Sequence, residues 1–369
     1  MRAFGLFWCA LLFWTLPARA QLERFYLGTY TGQAGSQGIY EGTLNASTGQ
    51  LGPLKLVAPI KPDPTFLALS PDGRFLFAAL GNAVASFCIQ PDGVLREINQ
   101  QPSGANTCHV SLDRTGREIF AASYDEGSVA AYPIGGNGQI GPRTSYIALH
   151  GSGPNRDRQL GPHAHSVYVD PENHFLYACD LGSDRIWIFR VGIHGSLTPA
   201  DPPFVVTAAG SGPRHLTFQG NRVYAVSELA STTSVYRRDS STGALALLRT
   251  EDNIDPGWPK GTGSAEIEIH PNGHWLYVST RLTDRMTVFA IDESSAREPL
   301  HRVQVLPCPV KFPRSFAIDP SGHWLIVAGQ TDNSIAVLKI DPASGFMTPT
   351  NQRASVGSPV CVLFSPQAR

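Results

Sequence analysis

The chain has 369 residues, 42% hydrophobic and 16% charged, which is enough to bury a full core in one large domain or two smaller ones. Its formal net charge of −1 excludes a global field for nucleic acid or an anionic membrane, so any anion site must come from a local cluster. The 36 glycines and 29 prolines suit a chain full of turns rather than helices.

Residues 1–20 read as a secretory signal. Arg2 supplies the positive start, Phe4 to Leu16 is apolar, and Ala18-Arg19-Ala20 is an A-x-A cleavage pattern. The apolar run is shorter than the ~20 residues of a spanning helix. The mature chain is expected to start near Gln21, to leave the membrane after cleavage, and to be exported to the periplasm or outside the cell. Cleavage removes Cys9 and leaves Cys88, Cys108, Cys179, Cys308 and Cys361. This odd, scattered set is no disulfide framework and reads mainly as small buried hydrophobes.

From Pro64 onward one motif recurs. It is read in PTFLALSPDGRFLFAAL from Pro64, NTCHVSLDRTGREIFAASY from Asn106 and PHAHSVYVDPENHFLYACDL from Pro162. It returns in PRHLTFQGNRVYAVSEL from Pro213, SAEIEIHPNGHWLYVSTR from Ser264 and PRSFAIDPSGHWLIVAGQ from Pro313. Each copy is an alternating strand, a tight turn and a second apolar strand, as a hairpin requires. Third strands follow, as at Val84–Phe87, Ile186–Phe189, Met286–Phe289 and Ile335–Leu338. A period of about fifty residues is that of four-stranded propeller blades. The seventh copy is split: PVCVLFSP from Pro359 supplies a first strand, and Phe25 to Tyr30 supplies the second. Pairing the two would close the ring and remove two edges. The expected fold is an all-β, seven-bladed β-propeller over residues 21–369.

The register of the repeat says which residues meet. First strands line the channel, and second strands run antiparallel to them. The start of one and the end of the other therefore share a rim. Counting back six from the turn proline or its equivalent gives Thr65, Cys108, His165, Arg214, Ala265, Arg314 and Val360. The next column is Phe66, His109, Ser166, His215, Glu266, Ser315 and Cys361. Second strands end at Leu80-Gly81, Ser123-Tyr124, Asp180-Leu181, Ser227-Glu228, Thr280-Arg281, Gly329-Gln330 and Thr29-Tyr30. Blades three to six are polar on this rim. Several arginines, a carboxylate and a histidine around one mouth suit a small anionic substrate. A His or Glu base and an Arg beside a carbonyl fit ester or lactone hydrolysis, and proton shuffling beside a carboxylate equally. The bland reading of an Arg–Glu pair is a salt bridge between blades, and that of a lone strand histidine is a structural hydrogen bond. His163-Ala164-His165 puts two imidazoles on one side of a strand, but no third ligand follows from the pattern, so no metal is expected. No cofactor motif, G-x-S-x-G elbow or Walker loop occurs.

These segments resemble the lactonase family of seven-bladed propellers, which holds propeller-type 6-phosphogluconolactonases and carboxy-muconate lactonising enzymes. The resemblance rests on Gly28-Thr29-Tyr30-Thr31-Gly32, Leu69-Ser70-Pro71-Asp72-Gly73-Arg74, Arg158-Gln159 with Pro162-His163-Ala164-His165, and Asp180-Leu181-Gly182. It continues in Gly212-Pro213-Arg214-His215, Ser227-Glu228-Leu229, Ser279-Thr280-Arg281 and Val327-Ala328-Gly329-Gln330. The chain departs at Leu80-Gly81, where the family often has Asn-Glu, and at Ser227, where it often has Asn. The resemblance implies a catalytic set of His165, Arg214, Glu228 and Arg281. His163, Asp180, His215, Arg314 and Gln330 are the expected substrate contacts. Glu228 or His165 would activate water on a sugar-derived, anionic lactone, with Arg214 and Arg281 holding the anion and the oxyanion. The alternatives are a lactonising cycloisomerase using the same residues and a non-catalytic exported propeller that binds a glycan, peptide or protein.

Overall fold

In the computed structural model the described residues are 22–366, apart from 33, 256, 259, 260, 262 and 296. The expected signal, 1–20, and Gln21 lie outside them. Seven four-stranded antiparallel sheets are present. Blades 1 to 6 span 64–102, 107–148, 164–206, 213–252, 264–307 and 313–355. Blade 7 joins Pro359–Phe364 to Leu22–Thr29, Gly38–Asn45 and Lys55–Pro59. The expected ring closure is present, with Phe25 opposite Phe364, Tyr26 opposite Leu363 and Leu27 opposite Val362. Among the described residues no helix is long and apolar enough to cross a membrane. Cys88, Cys108, Cys179, Cys308 and Cys361 are all free thiols.

The hairpin turns form because a polar side chain substitutes for missing backbone partners. The Asp170 carboxylate accepts from the amides of His174 (2.7 Å) and Phe175 (3.1 Å), and Asp319 does the same for Trp324 (2.6 Å). Alternate residues of each strand then face opposite sides of the blade and bury against both neighbours. The core is accordingly divided into seven apolar clusters, one at each blade–blade interface. Tryptophans tie neighbouring blades: Trp324 donates to the Ala46 carbonyl (2.8 Å) and Trp275 to that of Pro342 (2.9 Å). Gly49 lies flat on the Trp324 ring in a left-handed conformation (φ 72°), and a Cβ there would come within 2.4 Å of the ring.

One irregularity recurs and positions the site. Where the first strand of a blade begins to pair with the second, one residue is skipped: Thr65, Cys108, His165, Arg214, Arg314 and Val360. In blade 5 the skip takes in Ala265 and Glu266. A bulge leaves its extra residue outside the ladder and re-aims its side chain. Each of these residues belongs to the register columns that open the channel, so the repeat carries a ring of bulges around one mouth. Several reach the next blade at or beside its bulge: Thr65 Oγ1 to the Thr107 carbonyl (3.4 Å), Cys108 Sγ to the His165 carbonyl (3.3 Å) and Arg214 Nη1 to the Ala265 carbonyl (2.6 Å).

Candidate active site

Glu228 stands at the centre of the polar rim. It follows the second strand of blade 4 (Arg222–Ser227), and its amide is held by the Gly212 carbonyl at 2.8 Å. Three guanidiniums converge on its carboxylate. Arg214, from the bulge of the same blade, donates through Nε to Oε2 at 3.1 Å. Arg281, at the matching strand end of blade 5, places Nη2 2.8 Å from Oε2. Arg158 places Nη2 2.8 Å from Oε1. The Arg214–Glu228 pair therefore lies within one blade, and the cross-blade contacts come from Arg158 and Arg281. Glu228 is only 3% exposed. Burial works to raise its carboxyl pKa, but Arg281, Arg214 and Arg158 outweigh it and bring it down to about 2. Glu228 is thus a fixed anion with both oxygens engaged, which makes it a weak base and a strong anchor.

Arg158 comes from the long connection between blades 2 and 3. Its neighbour Gln159 is fully buried and pins that connection to blade 3: Nε2 donates to the Leu181 carbonyl and to Asp184 Oδ1, both at 2.8 Å. Arg158 is left free to reach Glu228 and the Tyr124 hydroxyl (3.0 Å). In the sequence Arg158-Gln159 stands out as a motif, but the repeat register assigns neither residue a place in the site. Tyr124 was seen only as a strand end. The chain spacing offers no register for a loop residue; the long polar insertion before the PHAH segment is the signal that was present.

His165 occupies the bulge of blade 3 and is 5% exposed. Its ring meets the edges of Tyr124 (5.6 Å between centroids) and His215 (5.2 Å). Its Nδ1 is buried without a hydrogen-bond partner among the described residues. Burial first, and then the cations Arg214, Arg314 and Arg281 along with His215, hold its pKa well below the ordinary value. It is a neutral imidazole at neutral pH, with a lone pair to offer. His163 stacks on Tyr124 at 4.4 Å, and its Nδ1 is 2.9 Å from the Tyr124 carbonyl, an acceptor. A carbonyl only accepts, so Nδ1 carries a proton in that bond.

His215 lies one residue deeper than Arg214 and is hydrogen-bonded to Glu266. Arg314 stands apart from the Glu228 cluster. It makes a 3.5 Å contact with Gln330 Oε1 and lies over the Tyr30 ring at 5.4 Å, with no carboxylate partner among the described residues. Asp180 is not brought to the mouth. It is fully buried in blade 3, where its carboxylate accepts from the amides of His163 (2.7 Å), Gly182 (3.1 Å) and Ser183 (3.3 Å) and from the Trp187 indole (3.2 Å). The Ser183 hydroxyl completes the set. A strand-end aspartate turns back to cap its own turn, so its rim position does not make it a substrate contact. Among the described residues no three of His, Cys, Asp and Glu converge as a metal would require.

The arrangement is a net cationic cluster on one rim of the ring, with three arginines fixed by one carboxylate, a fourth arginine without a carboxylate partner among the described residues, and a neutral histidine beside them. Residues 24–364 match the family described as Lactonase, 7-bladed beta-propeller. The chain belongs to this family. It is 34% identical over 234 residues to the 6-phosphogluconolactonase of Serratia proteamaculans, covering 62% of this chain and 67% of that one. The 6-phosphogluconolactonase of Bacillus subtilis is 28% identical over 92% of this chain and 97% of its own. The solved periplasmic gluconolactonase of Pseudomonas aeruginosa aligns with a TM-score of 0.87 at 30% identity, over 94% of this chain and 99% of that one. These relatives are named for lactone hydrolysis, so the lactonising and non-catalytic alternatives are not favoured.

Proposed function

We propose that this chain opens a sugar-derived, anionic lactone by attack of water in the mouth formed by blades 2 to 6. Lactone hydrolysis follows from family membership and from relatives named for it; the substrate's charge and the residue roles are the proposed part. The observation that carries them is the guanidinium cluster on Glu228 with Arg314 left over. Arg214 and Arg281 cannot move while Glu228 holds them, so their outer N–H groups are preorganised for a developing oxyanion. Arg314 has no carboxylate to neutralise it and takes the substrate's carboxylate or phosphate, assisted by Gln330. His165 is neutral and within the same mouth. It accepts the proton of the attacking water, and the imidazolium then returns it to the ring oxygen as the ester bond breaks. Glu228 is left out of proton transfer because guanidiniums engage both its oxygens, whereas His165 Nδ1 has no partner among the described residues. The periplasmic gluconolactonase relative and the signal-like residues 1–20 support export and a substrate met outside the cytoplasm.

The experiment is hydrolysis of a lactone panel by the mature protein, comparing glucono-1,5-lactone with 6-phosphogluconolactone and a carboxylate-bearing lactone. Turnover should favour the anionic members. His165→Asn should lower kcat by roughly two to four orders of magnitude, the range of a lost general base, and leave folding intact. Undiminished kcat in that variant, or no turnover of any lactone by the wild type, would overturn the reading.

A further inference from the structure

Below the arginines the channel holds a pair that this scheme does not use. Glu266 enters from the bulge of blade 5, and His215 from the first strand of blade 4 (Pro213–Gln219). Glu266 Oε1 is 2.7 Å from His215 Nδ1, and His215 Nε2 is 3.3 Å from Arg214 Nη1. A guanidinium can only donate. His215 Nε2 is therefore the lone-pair nitrogen, Nδ1 carries the proton, and Glu266 accepts it. Both arms run outward from Arg214: through Nη1 it donates to His215, which donates on to Glu266, and through Nε it donates to Glu228. Burial, then Arg214 and Arg314, keep His215 well below its ordinary pKa, which preserves this neutral tautomer. Arg214 is thus held from both sides by carboxylates, one directly and one through an imidazole.

The two carboxylates differ in setting. Glu228 touches three guanidiniums, whereas Glu266 touches none. The groups facing the Glu266–His215 pair are Arg214 on blade 4, Arg314 on blade 6, His165 and Tyr168 on blade 3, His109 on blade 2 and Glu268 on blade 5. Glu228 and Arg281 face it from above. Burial raises the Glu266 carboxyl to about 7, even though Arg214, the Ile267 amide, Ser315 and Arg314 all act to lower it.

We propose that Glu266, acting through His215, is a positioning residue that locks the Arg214 guanidinium, and that the negative charge it carries sets the anion affinity of the mouth. With Glu266 ionised, the mouth is less cationic. When it takes up a proton, the wall loses one negative charge behind Arg214, and an anionic ligand binds more tightly. A neutral lactone feels little of this change. The proposal rests on the hydrolase reading for its catalytic part, but its affinity part needs no turnover.

The test measures binding of glucarate, a dicarboxylate of constant charge across the range, by calorimetry between about pH 6 and about pH 8. Wild-type affinity should rise roughly three- to tenfold on acidification, the effect of one screened charge at this range. Glu266→Gln keeps an acceptor for His215 and removes the charge. Its affinity should change with pH less than the wild type's, leaving only the share of Glu268, whose carboxyl burial raises to about 8, and should approach that of the acidic wild type. A flat wild-type profile overturns the proposal without any variant, and so does a Glu266→Gln protein that keeps the wild-type slope. On lactones, His215→Leu removes the acceptor for Arg214 and should lower kcat roughly ten- to a hundredfold, as loss of a supporting-shell partner does elsewhere; unchanged kcat would remove the locking role. If glucarate binding follows pH as expected while no lactone is turned over, the charge role stands and the hydrolase reading falls.

Discussion

Replacing Glu228 by glutamine should be costly to the fold, in an amount that can be worked out. The carboxyl is brought down from its ordinary 4.5 to about 2 by its three arginines. At 1.36 kcal/mol per pK unit this is about 3 kcal/mol of native-state stabilisation. Breaking a buried ion pair on one side commonly costs about 3–5 kcal/mol, which agrees. A chain of 369 residues unfolds with an entropy of about 0.8 kcal/mol per kelvin, so the midpoint should fall by about 4 to 6 °C. The pH dependence has a definite sign. A depressed folded-state pKa stabilises fully above the unfolded value and is lost as pH falls through the folded one. The gap between wild type and Glu228→Gln should therefore be complete at about pH 7 and close between about pH 5 and about pH 2. Scanning calorimetry across that range checks it. Equal midpoints at neutral pH, or a gap that stays constant on acidification, would refute the account of Glu228 as the anchor of three guanidiniums.

Arg314→Ala should raise KM for a carboxylate- or phosphate-bearing lactone by roughly tenfold and leave kcat and the neutral-lactone KM nearly unchanged, the pattern of a lost binding contact; steady-state kinetics on both substrate types decide it. Removing residues 359–369 should abolish the single cooperative unfolding transition. Val360, Cys361 and Val362 are buried in the closing strand, and at about 1.5–3 kcal/mol each their loss is a large share of the ~5–15 kcal/mol that holds a typical domain together. A truncated protein that still melted in one sharp transition would mean that the joint is dispensable.

The blades were legible because the hairpin chemistry is local. Asp170 and Asp319 announce their turns by side chains that bond amides four or five residues on. The split seventh copy was legible for the same reason. Register alone brought Arg214, Glu228 and Arg281 to one rim, since it counts positions along paired strands. It did not distinguish a side chain that faces the mouth from one that folds back, which is why Asp180 was placed among the substrate contacts. Arg158 escaped because it sits in a loop, where no period constrains position, and only the buried Gln159 fixes it. Glu266 stood in the right column beside His215 and was passed over. Its distinction is a carboxyl raised by burial in the assembled ring, which the residue types of its own strand do not announce.

Blade 7 is the one blade built from two ends of the chain, and its seam lies across the ring from blade 4, which carries Arg214 and Glu228. The seam lies inside blade 7, three blades along the ring from blade 4. Blade 1 contributes Thr65 to the rim, and blade 7 contributes Val360 and Tyr30, the latter under Arg314, none of them charged. An opening of that seam would reach the site only through Tyr30 and Arg314. The catalytic half is held by continuous covalent chain through blades 2 to 6. A circular permutant that seals 22 to 366 and cuts an outer turn of blade 1 would move the seam by one blade and keep the same protection, whereas a cut beside blade 4 would put the loosest joint next to the residues that can least tolerate it.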